Sequence, residues 1–156
     1  MRDGPISIRL WAEEDAQELL AMMKALAVFE GYAEAFKVTP EALITHGMGS
    51  IRRFEVVVAE DTKTQRLIGM AVTYQQPWTY DLRSTVVLKE LFVVADRRGC
   101  GVGHRLMEAV IEHARLTGAS RINWTVLADN HRAKAFYRQF DGRRDAKWEP
   151  WTLELA

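Results

Sequence analysis

Residues 89–104 read KELFVVADRRGCGVGH, and their reading decides the fold. An apolar run over residues 88–94 suits a mostly buried strand, and residues 96–99 suit a turn. Helical periodicity begins near Gly101, with Leu106, Val110 and Ala114 on one stripe and Met107 and Ile111 beside it. Gly99, Gly101 and Gly103 alternate, so no side chains cover the first helical turn. The N–H groups there, with the positive end of the helix dipole, can close on an anion. Arg98 adds a cation just before that turn. Arg98, Gly99, Cys100, Gly101, Val102, Gly103 and His104 are therefore candidate ligands of a phosphate or diphosphate. Taken alone, the spacing also fits a plain glycine-rich strand-to-helix turn.

The kind of phosphate can be narrowed. No Gly-Lys-Ser/Thr follows, so the loop is not built for a metal-bound triphosphate. The dinucleotide fingerprint also fails: its third glycine comes one step early, and the βαβ units it needs are missing upstream. A second block lies at Asn130, Ala133, Phe136 and Tyr137. Asn130 suits a helix N-terminus, and Ala133, Phe136, Tyr137 and Phe140 fall on one helical stripe suited to a core. Tyr137 stands apart, because a buried phenol needs a partner.

Outward from these blocks, the pattern is α+β. Ile6, Ile8 and Leu10 alternate as a first strand, and residues 13–29 carry Leu19, Met22, Met23 and Leu26 as an amphipathic helix. Thr39-Pro40 predicts a helix start, with Thr39 as N-cap and Pro40 at the first helical position. Residues 54–59 and 67–74 read as strands joined by a polar turn, hence a hairpin. Residues 75–84 read as loop. Gly118 reads as the C-cap of the helix that follows the glycine loop. Residues 121–127 predict a strand, 130–140 a short helix, and 148–155 a last strand. The order β-α-α-β-β-β-α-β-α-β implies mostly consecutive antiparallel contacts with one strand-helix-strand crossover around the loop.

Composition bounds the partners. A chain of 156 residues predicts a single domain, residues 1–156, with 21 basic and 21 acidic side chains in balance. No general field then favours nucleic acid or an anionic membrane, no apolar run is long enough to cross a bilayer, and no signal-peptide pattern is visible. Cys100 is the single cysteine, which points to a reducing cytoplasm and to a packing role for its thiol. His46, His104, His113 and His131 show no ligand spacing, so no metal is expected.

Arg98-x-x-Gly101-x-Gly103 resembles the acyl-CoA diphosphate loop of the GNAT superfamily of N-acetyltransferases, and Asn130-x-x-Ala133-x-x-Phe136-Tyr137 resembles the pattern that superfamily places after its fifth strand. The likeness extends to the diamine (spermidine/spermine) and thialysine N-acetyltransferase branch. Lys24, Ala25, Leu26, Ala27, Val28, Phe29 and Glu30 match its first-helix end, Thr39, Glu41 and Leu43 its second helix start, and Pro77 and Trp78 its loop before the central strand. The resemblance implies a mixed, mostly antiparallel sheet flanked by helices, with fourth and fifth strands splayed apart. It further implies acetyl-CoA as co-substrate, a small-molecule primary amine as acceptor, direct attack in a ternary complex, and a homodimer to which residues 148–155 contribute.

In that scheme Leu91, Phe92 and Val93 line the pantetheine, with Leu91 and Val93 offering backbone groups, and Asn130 and Ala133 contribute to the same site. A strand N–H near Leu91 stabilises the oxyanion, and Tyr137 protonates the departing thiolate. An alkyl amine has a pKa of ~10, so only about one molecule in a thousand is neutral near pH 7 and a base is needed. The branch uses a strand glutamate followed by an acid; here the pair reads Lys89-Glu90. Glu90 becomes the candidate base, and a regular strand would turn it to the opposite side unless a β-bulge re-aimed it. Glu30, Glu34 and Glu149 align with acidic positions that would hold a cationic acceptor. Lys89 would equally anchor the carboxylate of an amino-acid acceptor. A non-catalytic acyl-CoA sensor would keep the loop and need no base.

Overall fold

The computed structural model describes residues 5–156. In chain order it holds β1 (Ile6–Leu10), α1 (Ala16–Glu30), α2 (Pro40–Gly47), β2 (Glu55–Asp61), β3 (Arg66–Gln76), β4 (Thr85–Val93), α3 (Val102–Leu116), β5 (Arg121–Asn123) and α4 (His131–Arg138). The strands form one sheet in the order β1-β2-β3-β4-β5, antiparallel throughout except for the parallel β4–β5 pair. That is the α+β architecture expected of the sequence. The chain divides into two units, one running to Trp124 and the other Thr125–Ala156. No helix among the described residues is long and apolar enough to cross a membrane.

Local chemistry sets the helix ends. Thr39 Oγ1 accepts the Ala42 N–H at 3.1 Å, and Pro40 opens α2 where a missing donor costs nothing. α1 buries Leu19, Leu20, Met22, Met23 and Leu26 and closes at Gly31 in the left-handed region, with the Tyr32 N–H bonded to Ala27 O at 2.9 Å. Its apolar face meets Val56, Val58, Met70 and Val72 of β2 and β3. Gly118, φ +73°, follows the end of α3 as expected.

The other sheet face carries α3. Leu106, Met107, Val110 and Ala114 are buried along it, at roughly 1.5–3 kcal/mol for each large side chain. A Cβ on Gly69 would stand 2.9 Å from Leu106 Cδ1 and 3.1 Å from Val102 Cγ1. The bare backbone at Gly69 lets the start of α3, and the loop before it, seat directly against β3.

Two expected elements differ. The strand predicted over residues 121–127 is confined to Arg121–Asn123, because its pairing with β4 stops at Val87↔Asn123. Residues 148–155 form no strand: alternation makes a segment fit for a ladder, but a ladder needs a partner, and none is present among the described residues. Trp148, Trp151, Leu153 and Leu155 are consequently 65%, 89%, 85% and 88% exposed. α4 likewise buries no residue completely; Phe136, Tyr137 and Phe140 are half-buried rather than core.

Candidate active site

β4 outruns its neighbour. Its parallel pairing with β5 covers Thr85, Val86 and Val87 only, whereas its pairing with β3 continues to Val93. Residues 88–93 thus lie beyond the last β5 partner. The Val94 N–H donates to Ile68 O at 3.0 Å, so alternation along the strand turns the N–H and C=O groups of Leu91 and Val93 away from β3. Those are the two residues whose backbone the GNAT resemblance gives to pantetheine.

At the end of β4 a single 3-10 turn, Ala95–Arg97, leads into the glycine loop. Gly99 and Gly101 have φ of +77° and +79°, and a Cβ on either would meet nothing within 4 Å. Backbone conformation, not space, therefore calls for glycine at both positions. Gly101 caps α3, and its carbonyl accepts the Arg105 N–H at 3.1 Å, so the amides of Val102 and Gly103 precede the first intrahelical bond. Arg98 Nε donates to Val93 O at 2.9 Å, and its guanidinium stands 5.5 Å from the Phe92 ring centroid. The exposed side chain thus straddles the strand edge and the loop. Cys100 is a half-buried free thiol. His104 is exposed, with Nε2 at 3.4 Å from Glu108 Oε1.

The register answers the question raised by Lys89-Glu90. Thr73 pairs with Leu88 and Val72 with Glu90, which leaves Lys89 as the extra residue of a bulge. Leu88 and Glu90 therefore oppose residues on different faces of the sheet. Glu90 sits opposite Val72, on the face that α1 covers, while Lys89 is exposed. Burial pushes the Glu90 carboxyl above the usual carboxylate range; Lys89 opposes the shift and Glu30 adds to it. Its Oε2 is shielded from water and has no hydrogen-bond partner among the described residues.

Glu30 and Glu90 are brought together, and they are joined by Tyr32. Burial raises the pKa of that phenol, and Glu90 and Glu30 raise it further. The sequence does not single out Tyr32; its signal is Gly31, whose left-handed turn ends α1 just before it. Glu34 lies exposed in the turn Ala33–Ala35, and Glu30 and Lys89, not Glu34, are the charges that act on Glu90.

The second unit holds the other block. Asn130 Oδ1 accepts the Ala133 N–H at 3.0 Å, which caps α4 and leaves the amide nitrogen of Asn130 as its donor. Phe136 meets Tyr137 and Phe140 edge-to-face, each pair 5.3 Å between centroids. Glu149 lies beyond α4, with Trp151 Nε1 at 3.4 Å from its Oε2.

Residues 28–141 match a family model, Acetyltransferase (GNAT) family. The chain belongs to that family. It is 28% identical over 150 residues to the thialysine N-epsilon-acetyltransferase of Mus musculus, covering 92% of this chain and 88% of that one. It is 24% identical over 146 residues to the spermidine/spermine N(1)-acetyltransferase-like protein 1 of Homo sapiens, covering 89% of this chain and 21% of the relative. A solved probable acetyltransferase superposes with a TM-score of 0.80 at 21% identity, over 96% of this chain and 98% of that one, a likeness of fold. Membership makes the chain a GNAT-type N-acetyltransferase, and the relatives it resembles are thialysine and spermidine/spermine-type enzymes by name.

Proposed function

We propose that this GNAT member moves an acetyl group from acetyl-CoA to a primary amine of a small diamine, polyamine or thialysine-like molecule, within a single catalytic domain spanning residues 1–156. The observation that carries the reading is the stretch of β4 past Val87, open beside the Gly99–Gly101 loop. Pantetheine amides complete the edge presented by Leu91 and Val93, with Phe92, Asn130 and Ala133 lining the site. Arg98, Gly99, Cys100, Gly101, Val102, Gly103 and His104 hold the diphosphate.

Glu90 takes the proton from the acceptor ammonium, and its Oε2, without a hydrogen-bond partner among the described residues, gives that proton a destination. The neutral amine attacks the thioester carbonyl, the strand N–H near Leu91 stabilises the oxyanion, and Tyr137 protonates the sulfur as it leaves. Glu30, Glu34 and Glu149 favour a cationic acceptor. Lys89 borders the site from the bulge. No metal takes part in this scheme.

Alternating Trp151, Leu153 and Leu155, exposed and in no strand pairing among the described residues, suit strand pairing in a homodimer. A reducing cytoplasm suits the free Cys100. Acetyl-CoA consumption with putrescine, spermidine, thialysine and lysine tests the reaction. Turnover on a diamine or thialysine is expected. Turnover on lysine or other amino acids alone would move the assignment to an amino-acid acetyltransferase, and coenzyme binding without turnover on any amine would make the protein a sensor.

A further inference from the structure

The two arginines ahead of the glycine loop turn in different directions. Arg98 reaches Val93 O, whereas Arg97 Nη1 reaches back to Asp61 Oδ2 at 2.5 Å. Asp61 is buried at the end of β2, and its other oxygen accepts the Lys63 N–H at 2.9 Å and the Thr64 N–H at 3.3 Å. One carboxylate thus ties the β2–β3 turn to the 3-10 turn, Ala95–Arg97, that opens the loop. Arg97 Nε and Nη2 are shielded and have no acceptor among the described residues. Leaving donors of a guanidinium unmet is a costly way to fill space, and an apolar side chain would do that better. What an ion pair adds is direction.

Direction is what the loop lacks. Between Arg97 and the cap Gly101 lie three residues, and a Cβ on Gly99 or Gly101 would touch nothing within 4 Å. Packing therefore does not hold the loop at either glycine. What holds it is Arg97 on Asp61 at its start, the Arg98 Nε bond to Val93 O next to that, and the start of α3 against Gly69 at its end. We propose that Asp61 and Arg97 form a positioning pair, holding the loop so that its amides converge on the diphosphate while neither residue touches the ligand. The proposal rests on the loop's reading as a diphosphate cradle, and it involves residues outside the Arg98-x-x-Gly101-x-Gly103 motif.

Asp61→Asn keeps the shape and removes the charge. Arg97→Lys keeps the charge and removes the fork. Three readouts are compared in each full-length variant: steady-state KM and kcat with acetyl-CoA, calorimetric affinity for coenzyme A against pantetheine (which lacks the diphosphate), and hydrogen exchange of the loop amides without ligand. Asp61→Asn should raise KM about tenfold with kcat little changed, and the double variant should be no worse than either single one. Pantetheine affinity should hold, and amides 99–103 should exchange faster than those of β3. Equal losses for coenzyme A and pantetheine would make the pair a general fold element and overturn the proposal. Unchanged loop exchange in Asp61→Asn would also overturn it. Wild-type protein that binds no coenzyme A would instead defeat the diphosphate reading, a result distinct from either.

Discussion

Replacing Gly101 by alanine isolates one energy. Gly101 sits at φ +79° and ψ 1°, and nothing lies within 4 Å of where a Cβ would stand. Steric contact adds nothing, so the cost is the left-handed backbone itself, about 1–2 kcal/mol for a residue with a Cβ. That strain has two outlets. If the loop keeps its shape, the strain lowers folding stability: at about 2–4 °C per kcal/mol for a chain of this size, the melting temperature falls by about 2–8 °C while coenzyme A affinity holds. If the loop relaxes, the melting temperature holds and affinity drops about five- to thirtyfold. Either way the two losses should sum to about 1–2 kcal/mol. Asparagine visits the left-handed region more readily, so Gly101→Asn should recover a good part of the loss. Thermal unfolding and calorimetric titration of the three proteins measure both terms. Equal losses in the alanine and asparagine variants, or a summed loss above about 4 kcal/mol, would refute the reasoning, the latter because it requires a contact the structure lacks.

Burial and Glu30 hold the Glu90 carboxyl protonated to higher pH than usual, and only its carboxylate form can accept the amine's proton. Activity should therefore rise with pH through a value above the ordinary ~4.3, and an acidic limb that survives in Glu90→Gln would place the base elsewhere. Tyr137→Phe should lower kcat about a hundredfold with coenzyme affinity retained; a loss confined to affinity would remove its role as acid. Arg98→Ala should weaken coenzyme A binding about tenfold, read by titration, and leave kcat at saturation near the wild-type value. For stability, Asp15 is buried, takes Arg9 Nη1 and Nη2 at 2.7 and 3.0 Å, and accepts the Ala12 N–H at 2.8 Å. Arg9 chiefly depresses its pKa, so the stabilisation is present above the ordinary carboxylate value and lost as pH falls through the depressed one. Asp15→Asn should cost about 1–3 kcal/mol at pH 7, with the gap closing below about pH 4; a gap independent of pH in denaturant titrations would contradict the assignment.

Features that depend on neighbours in the chain were legible as letters. Thr39-Pro40 starts a helix through a bond spanning three residues, the α3 stripe follows from its period, and the glycines at 99 and 101 answer a local backbone need. With the second block, these were enough for the fold class, the family and the residues of the loop. Which way Glu90 faces was not legible, because a bulge exists only relative to a partner strand, and β3 supplies the register that skips Lys89. The same holds for the open edge of β4, which depends on where β5 stops pairing, and for Tyr32 beside Glu90, or Asp61 on Arg97, residues far apart in the chain. Residues 148–155 make the point in reverse: alternation marks a strand, but hydrogen bonds from another strand must complete it. Short-range chemistry acts through a few covalent bonds and survives in the order of residues, whereas pairing, burial and charge proximity arise only once distant segments meet.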